Sequence, residues 1–476
     1  MTNSIDRRSF LGASLMFGVQ AARAAGTAEE AGWPKLPPVK IHVVYMGLGG
    51  AWPKPDFDAK SEAAKFRTYL EGVEQRLGDV RFVGHDLIAN RPEPAAQLAA
   101  NLGDADAVLI VHLAFGSSEP MRSFVDTGRP VAIFSQPFSG HDWMYIPVWQ
   151  REGKRVIITA SSDYADLQRA VALLRVPVRM RQSRMILIGR PHGTEAARIA
   201  ERVKEQTGVT VVPITVPQAV EAHAAVDLKA AEKEAEEFWI RPAKKIVEPS
   251  REEIVKSARM YLALRDLMIR DNARAVTIEC LGGIPIQTIG YPCLAFSKLN
   301  DLGLVGACEA DVDSTLTMLM FAYAFGKPGF ITDPLFDFSK NAVIHAHCVS
   351  PTSMDGPGSA RAPFLIRTHR DDNKGASLEV ELRVGQEITC AKLANLDTIL
   401  LSSGKITEIP DFDDRGCRTQ IVTQVANARE MMRNWGGGVL PKDMMTLLHR
   451  VVFYGNYVED VKDMAVLMGQ KVVMEG

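Results

Sequence analysis

GACEADVDSTLTMLMFAYAFGKPGFITD, residues 306–333, is the stretch around which the rest of the chain is organised, together with Ile344-His345-Ala346-His347-Cys348 just downstream. Residues 304–308 are a short run of small apolar side chains that predicts a buried strand. Asp311 or Asp313 is placed to N-cap a helix running to about Phe325. Gly326 and Pro328 supply the stop. Phe330-Ile331-Thr332 then predicts a second short strand, which leaves Glu309 and Asp333 each just past a strand end. In α/β sheets that edge is where ligands bind.

Upstream, strand and helix patterns alternate. Residues 39–46, 80–83, 107–112 and 130–134 predict strands, with helices over 61–77, 94–102 and 119–127 between them. This is the pattern of a doubly wound parallel-sheet α/β domain, here over residues 39–178. Gly47-Leu48-Gly49-Gly50 lacks the full GxGxxG spacing leading directly into a helix, so it reads as a tight turn and not as a phosphate cradle. The loop 135–145, with His141, Asp142 and Trp143, lies where a cleft could be lined. A second α/β domain, residues 179–330, carries Glu309. Its strands are predicted at 183–190, 209–212 and 275–280, and its helices near 195–206, 226–238 and 252–270.

Past Asp333 the texture changes. Residues 362–369, 376–382, 387–393 and 398–401 are short alternating runs divided by Gly, Asn and Asp, which predict a C-terminal β-rich domain, antiparallel and barrel-like, over 331–476. Helix returns near 442–449 and 459–467. The fold class is therefore α/β, with two doubly wound parallel-sheet domains plus this β-rich domain.

Composition narrows the function. The chain has 476 residues, 46% hydrophobic and 24% charged, enough for several cores. Its 55 Lys and Arg against 57 Asp and Glu leave a formal charge of −2, which argues against nucleic acid or an anionic membrane as partner and suits a small substrate. The first residues are distinct. Arg7-Arg8-Ser9-Phe10-Leu11 leads into an apolar run over 11–22 and Ala22-Arg23-Ala24, the pattern of a twin-arginine signal peptide covering residues 1–24. That run is too short to span a bilayer, so a periplasmic or secreted protein is expected, with a linker over 25–38 and no membrane span in the mature chain. Six cysteines form no CxxC pair and are expected mostly as buried apolar residues.

Carboxylates with neutral imidazole suit Mn²⁺, Mg²⁺ or Fe²⁺ better than a thiolate-seeking metal, and three or four protein ligands leave positions open for substrate oxygens. A sugar's adjacent oxygens fit such a site, with a carboxylate beside the metal moving a proton between neighbouring carbons.

Residues 309–347, together with His449-Arg450-Val451-Val452-Phe453-Tyr454-Gly455-Asn456-Tyr457, resemble the L-fucose isomerase and L-arabinose isomerase superfamily. The shared features are a Glu before a helix, an Asp 24 residues later (333 − 309 = 24), and a histidine just ahead of a C-terminal apolar strand. The resemblance implies a Mn²⁺-dependent aldose-ketose isomerase working through an ene-diol on a free pentose or deoxyhexose. It implies that Glu309 and Asp333 act as metal ligands and as the proton-transferring pair, with His449 as a further ligand. It implies a histidine ligand after the second acid, for which His347 is preferred over His345; alternation along a strand puts both on one face. His345, His369 and Arg367 remain weaker candidates for touching substrate. A homo-oligomer, trimer or hexamer, is also implied. Two other readings stay open: a periplasmic carbohydrate-binding protein, and a glycoside hydrolase using Glu309 and Asp333 as paired carboxylates.

Overall fold

The computed structural model describes residues 32–33, 35–48, 52–410 and 415–476. The expected signal peptide, 1–24, lies outside them, as does most of the expected linker. The linker's last residues are docked: Arg179 Nη1 donates to the Pro37 carbonyl at 2.9 Å.

The first sheet is built from β1 (Val39–Leu48), β2 (Val80–Ala89), β3 (Ala107–His112), β4 (Val131–Ser135) and β5 (Val156–Ala160). All are parallel, in the order β2-β1-β3-β4-β5. β3 and β4 are buried along their whole length, as strands covered on both faces must be. β2 runs six residues beyond the expected 80–83. The loop after β4 is fastened from within: buried Asp142 accepts from the backbone N–H groups of Gly116, Ser117 and Ser118 and lies 3.0 Å from His112 Nε2.

The second sheet contains β6 (Arg184–Ile188) and β7 (Thr210–Ile214). The short β8 (Lys245–Ile246) leaves it, and β9 (Ala275–Ile278) and β10 (Val305–Ala307) complete it, in the parallel order β10-β9-β6-β7. The helix expected over 226–238 divides into an α-helical Leu228–Glu234 and a π-helical turn, Ala235–Ile240.

The remaining strands are β11 (Phe330–Asp337), β12 (Ala342–His347), β13 (Phe364–Arg367), β14 (Ser377–Val380), β15 (Glu387–Ala394), β16 (Thr398–Glu408), β17 (Thr419–Gln424), β18 (Arg450–Tyr454) and β19 (Lys471–Met474). Six of them run β15-β18-β11-β12-β17-β16, all antiparallel, and the β15–β16 pairing closes the barrel. β19 adds to β16 in parallel, while β13 ties β14 to β8 of the second α/β unit.

One expected boundary moves. β11 does not end at Thr332; it continues through Asp333 and Pro334 to Asp337. The strand changes neighbours on the way: Phe330 to Thr332 pair with β18, and Asp333 to Asp337 pair with β12. Pro334, which has no N–H, is tolerated because β18 has already left that edge. Asp333 therefore stands inside an antiparallel strand, at the switch between two pairings.

Val312–Phe325 is the central helix. Asp311 N-caps it and Gly326, left-handed, ends it. Eleven of its fourteen residues are buried, so it is apolar on all sides and must be enclosed. Phe321 stacks on Phe453 of β18 at 3.8 Å between centroids. Thr317 Oγ1 accepts from Leu393 N of β15 at 2.8 Å, which leaves no barrel N–H unsatisfied at that contact. The helix thus locks the second α/β unit to the barrel.

Candidate metal centre

Glu309 follows β10 in a turn whose backbone is left-handed at two successive non-glycine residues, Glu309 (φ 62°) and Ala310 (φ 52°). Neighbouring strand ends hold it there. Ala310 N donates to Ile278 O at 2.8 Å, and Ala310 O accepts from His192 N at 2.9 Å. The barrel supplies the other groups. Thr332 pairs with Arg450 and Asp333 with Ala346, so the same register brings Asp333, His347 and His449 together across three adjacent strands.

His347 Nε2 lies 3.4 Å from Glu309 Oε1, and His449 Nε2 lies 3.5 Å from Glu309 Oε2 and 3.4 Å from Asp333 Oδ1. Potential ligand atoms of Glu309, His347 and His449 all fall within 4.8 Å of one another. Both histidines are buried. Two atoms that face each other in the cluster, His449 Nε2 and Asp333 Oδ1, are buried without any hydrogen-bond partner, as is His347 Nδ1, the ring nitrogen that does not approach Glu309. Buried polar atoms are ordinarily paired, so this concentration of orphans calls for a missing partner. A hard divalent cation fits: ligands about 2.1 Å from one octahedral centre stand roughly 3 Å apart, close to the separations found here.

Asp311 completes the arrangement. Its Oδ2 lies 2.9 Å from His449 Nδ1, while Oδ1 accepts from Ser314 N at 3.0 Å and Oδ2 from Ser314 Oγ at 2.6 Å. An ionised carboxylate only accepts, so His449 Nδ1 carries a proton toward Asp311, and the ring is held with Nε2 facing Glu309 and Asp333. Lys392 Nζ, fully buried and without a hydrogen-bond partner, lies 3.6 Å from the same Asp311 oxygen.

The charges are strongly coupled. Burial pushes the Glu309 carboxyl up, but His347 and His449 outweigh it and its pKa falls to about 2. For His347, burial works downward and the carboxylates of Glu309 and Asp333 raise it to about 10. Asp311 is held far below the usual carboxylate range, because Lys392 and His449 overcome its burial. Asp313 goes the other way, to about 7, through burial and the neighbouring Asp311 charge, in spite of Lys392 and hydrogen bonds from Thr194.

The weaker candidates lie apart from this cluster. His345 is buried with Nδ1 at 3.0 Å from Thr332 Oγ1 and Nε2 at 3.1 Å from Thr423 Oγ1, and burial lowers its pKa to about 3. Arg367 is buried and gripped by Glu248 and Glu379. His369 lies flat on Tyr291, 4.0 Å between centroids.

Sequence reasoning did not single out three neighbours: Asp311 as a histidine partner, Lys392, and a polar rim of Glu279, Arg190 and His192. Glu279 accepts from Arg190 Nε at 2.9 Å and Nη2 at 2.7 Å, with His192 Nε2 at 3.6 Å. Gly189 makes room for it, since a Cβ there would meet Glu279 Cβ at 2.7 Å. All six cysteines are free thiols; five are buried and Cys417 is partly so.

Among known proteins, the chain is similar to the sulfoquinovose isomerase of Clostridium sp. (strain MSTE9), 24% identical over 172 residues, and to that of Alkalicoccus urumqiensis, 22% identical over 163 residues. These matches cover 35% and 33% of this chain and span only 37% and 36% of the relatives' own lengths. No family model matches. Among the described residues, no helix is long and apolar enough to cross a membrane.

Proposed function

We propose that the protein is a divalent-metal-dependent aldose-ketose isomerase. The observation that carries this reading is the convergence of Glu309, Asp333, His347 and His449, with buried donor atoms that have no protein partner. Similarity to two sugar isomerases supports the same reaction class. Mn²⁺ is the expected ion, with Mg²⁺ or Fe²⁺ as the other hard candidates.

Isomerisation moves one proton from C2 to C1 of an open-chain aldose and another from the C2 hydroxyl to the C1 oxygen. A cation held by the four residues would supply Lewis acidity toward the two sugar oxygens. Glu309 and Asp333 do the proton work. One carboxylate takes the C2 proton and returns it to C1, and its partner relays the hydroxyl proton through the ene-diol. Glu309, held low by His347 and His449 against its burial, is the ionised member of the pair. Asp311 keeps the His449 ring oriented with Nε2 toward the pair.

The substrate panel is free pentoses, deoxyhexoses and sulfoquinovose. The last belongs there because the relatives are named for it, and because the exposed Arg190 guanidinium on the neighbouring rim offers an anionic sugar group a partner. The glycoside hydrolase reading is disfavoured. Two imidazoles, His347 and His449, share the cluster with the carboxylates, and both similar proteins are named as isomerases.

Metal analysis of the purified protein, followed by incubation with the panel in D₂O, tests the proposal. Deuterium at C1 or C2 that is lost in Glu309→Gln supports it. Protein free of metal that labels no sugar sinks it, and tight sugar binding that survives chelator and Asp333→Asn would point instead to a binding protein. Export through the twin-arginine route and assembly as a trimer or hexamer belong to the same proposal; cell fractionation and light scattering check them.

A further inference from the structure

A separate cavity lies away from the metal centre. It measures about 660 Å³ and lies at the other edge of the second sheet, among Arg274, which precedes β9, the 300–305 segment leading into β10, and the C-terminal turn of the central helix. Glu309 follows β10 at the opposite end. The helix joins the two places over about 21 Å, with Asp311 at one end and Tyr323 at the other.

Six basic side chains line this cavity, and Asp79 is the one carboxylate among its described lining residues. Asp79 is shared: Arg175 Nη1 donates to Oδ1 at 2.6 Å and Arg179 Nε to Oδ2 at 3.1 Å. Arg179 is buried. Lys327 donates to the backbone oxygen of Asp355 at 2.8 Å, with the Asp355 carboxylate, itself paired with Arg383, nearby. Arg274 has less: its Nε is buried without a hydrogen-bond partner, and none of the described carboxylates pairs with it. Arg175, Arg179 and Arg274 thus face the single lining carboxylate of Asp79, an excess of two, with Lys327 beside them. Guanidinium groups held with donors unused are suited to a tetrahedral oxyanion, which they grip in forked fashion. The remaining wall is apolar, from Leu77, Leu304 and Met318, and the volume exceeds what a lone inorganic ion needs.

We infer that this cavity binds a small organic anion, a phosphate or sulfonate group on a carbon body, with Arg274 as a direct ligand of the oxyanion. Such a ligand would sit one helix away from the metal centre, where the central helix could couple the two sites.

Calorimetric titration of the full chain with phenyl phosphate, and separately with inorganic phosphate, tests this. Phenyl phosphate should saturate at one per chain, and Arg274→Gln and Lys327→Gln should each weaken it about tenfold or more. With no anion bound, Arg274→Gln should melt at the wild-type temperature or above, since it removes one of several like charges. Absence of saturable binding, or binding indifferent to both substitutions, overturns the site. A lowered melting point of unliganded Arg274→Gln would make Arg274 a structural residue and overturn its assigned role. Inorganic phosphate binding as tightly as phenyl phosphate would overturn the organic class.

Discussion

Asp311 Oδ2 lies 2.9 Å from His449 Nδ1, so the residue that caps the central helix also fixes the proton on the most deeply buried histidine of the site. Helix start and site chemistry are one contact.

Asp311→Asn separates the two roles. Asparagine still caps the helix, but it carries no charge and does not enforce the Nδ1–H tautomer. Metal affinity should fall about 10- to 100-fold in a competition titration with a chromophoric chelator. The unfolding midpoint of the metal-free protein should move much less than the affinity. Unchanged affinity would reject the role given to Asp311.

Glu309→Gly and Glu309→Ala both remove the carboxylate. They differ in backbone cost, because φ at residue 309 is 62°, where glycine is unstrained and alanine is not. The glycine variant should be the more stable of the two by about 1 kcal/mol, measured by urea unfolding. Equal midpoints would mean that the turn relaxes once the side chain is gone.

Burial pushes the Asp301 carboxyl up to about 6, against hydrogen bonds from Thr352 and Ser353. Between about pH 4 and 6 the folded chain holds a proton that the unfolded chain has released. The stability this group contributes is therefore full below about 4 and is lost as pH rises through 6. Asp301→Asn is neutral throughout, so relative to wild type it should gain on the order of 2–3 kcal/mol across that window and then level off. Urea midpoints at pH 4.5 and 7.5 decide it; a difference of the opposite sign would reject the assignment.

At the end of the chain, buried Glu475 accepts from Arg450 Nε at 2.8 Å and Nη2 at 2.7 Å and from Gly436 N at 2.7 Å. Arg450 is itself fully buried and lies over the Trp435 ring at 3.8 Å. Glu475→Gln leaves that guanidinium uncompensated and should cost about 3 kcal/mol in urea unfolding. A midpoint equal to wild type would show that the pair is not holding the C-terminus to the strand that begins beside His449.

Much of this was legible in the residues. The central helix, its cap, its glycine stop and the alternation of strands and helices follow from local rules that tertiary contacts did not override. What was hidden depended on neighbours far along the chain. The strand was expected to end at Thr332, and Pro334, which lacks the N–H a ladder needs, fits inside it only because β18 gives way to β12 beside β11. His345 and His347 share a spacing, and two threonine hydroxyls across the sheet are what occupy the first of them. Asp311 was visible as one of two cap candidates beside Asp313, but its second function needs His449, 138 residues away. Lys392 did leave a signal, a single charge in the apolar stretch Ile388 to Leu393, which marks a buried ion pair or a site.

The cluster is divided between two folding units. Glu309 and Asp311 come from the end of an α/β sheet, while Asp333, His347 and His449 come from a barrel whose closure requires strands far apart in sequence. Contacts of that separation form late, after the loops between them have been closed. Neither half offers a complete coordination sphere, so tight metal capture can begin only once the barrel has docked on the helix. Occupancy of the centre is then a record of finished folding.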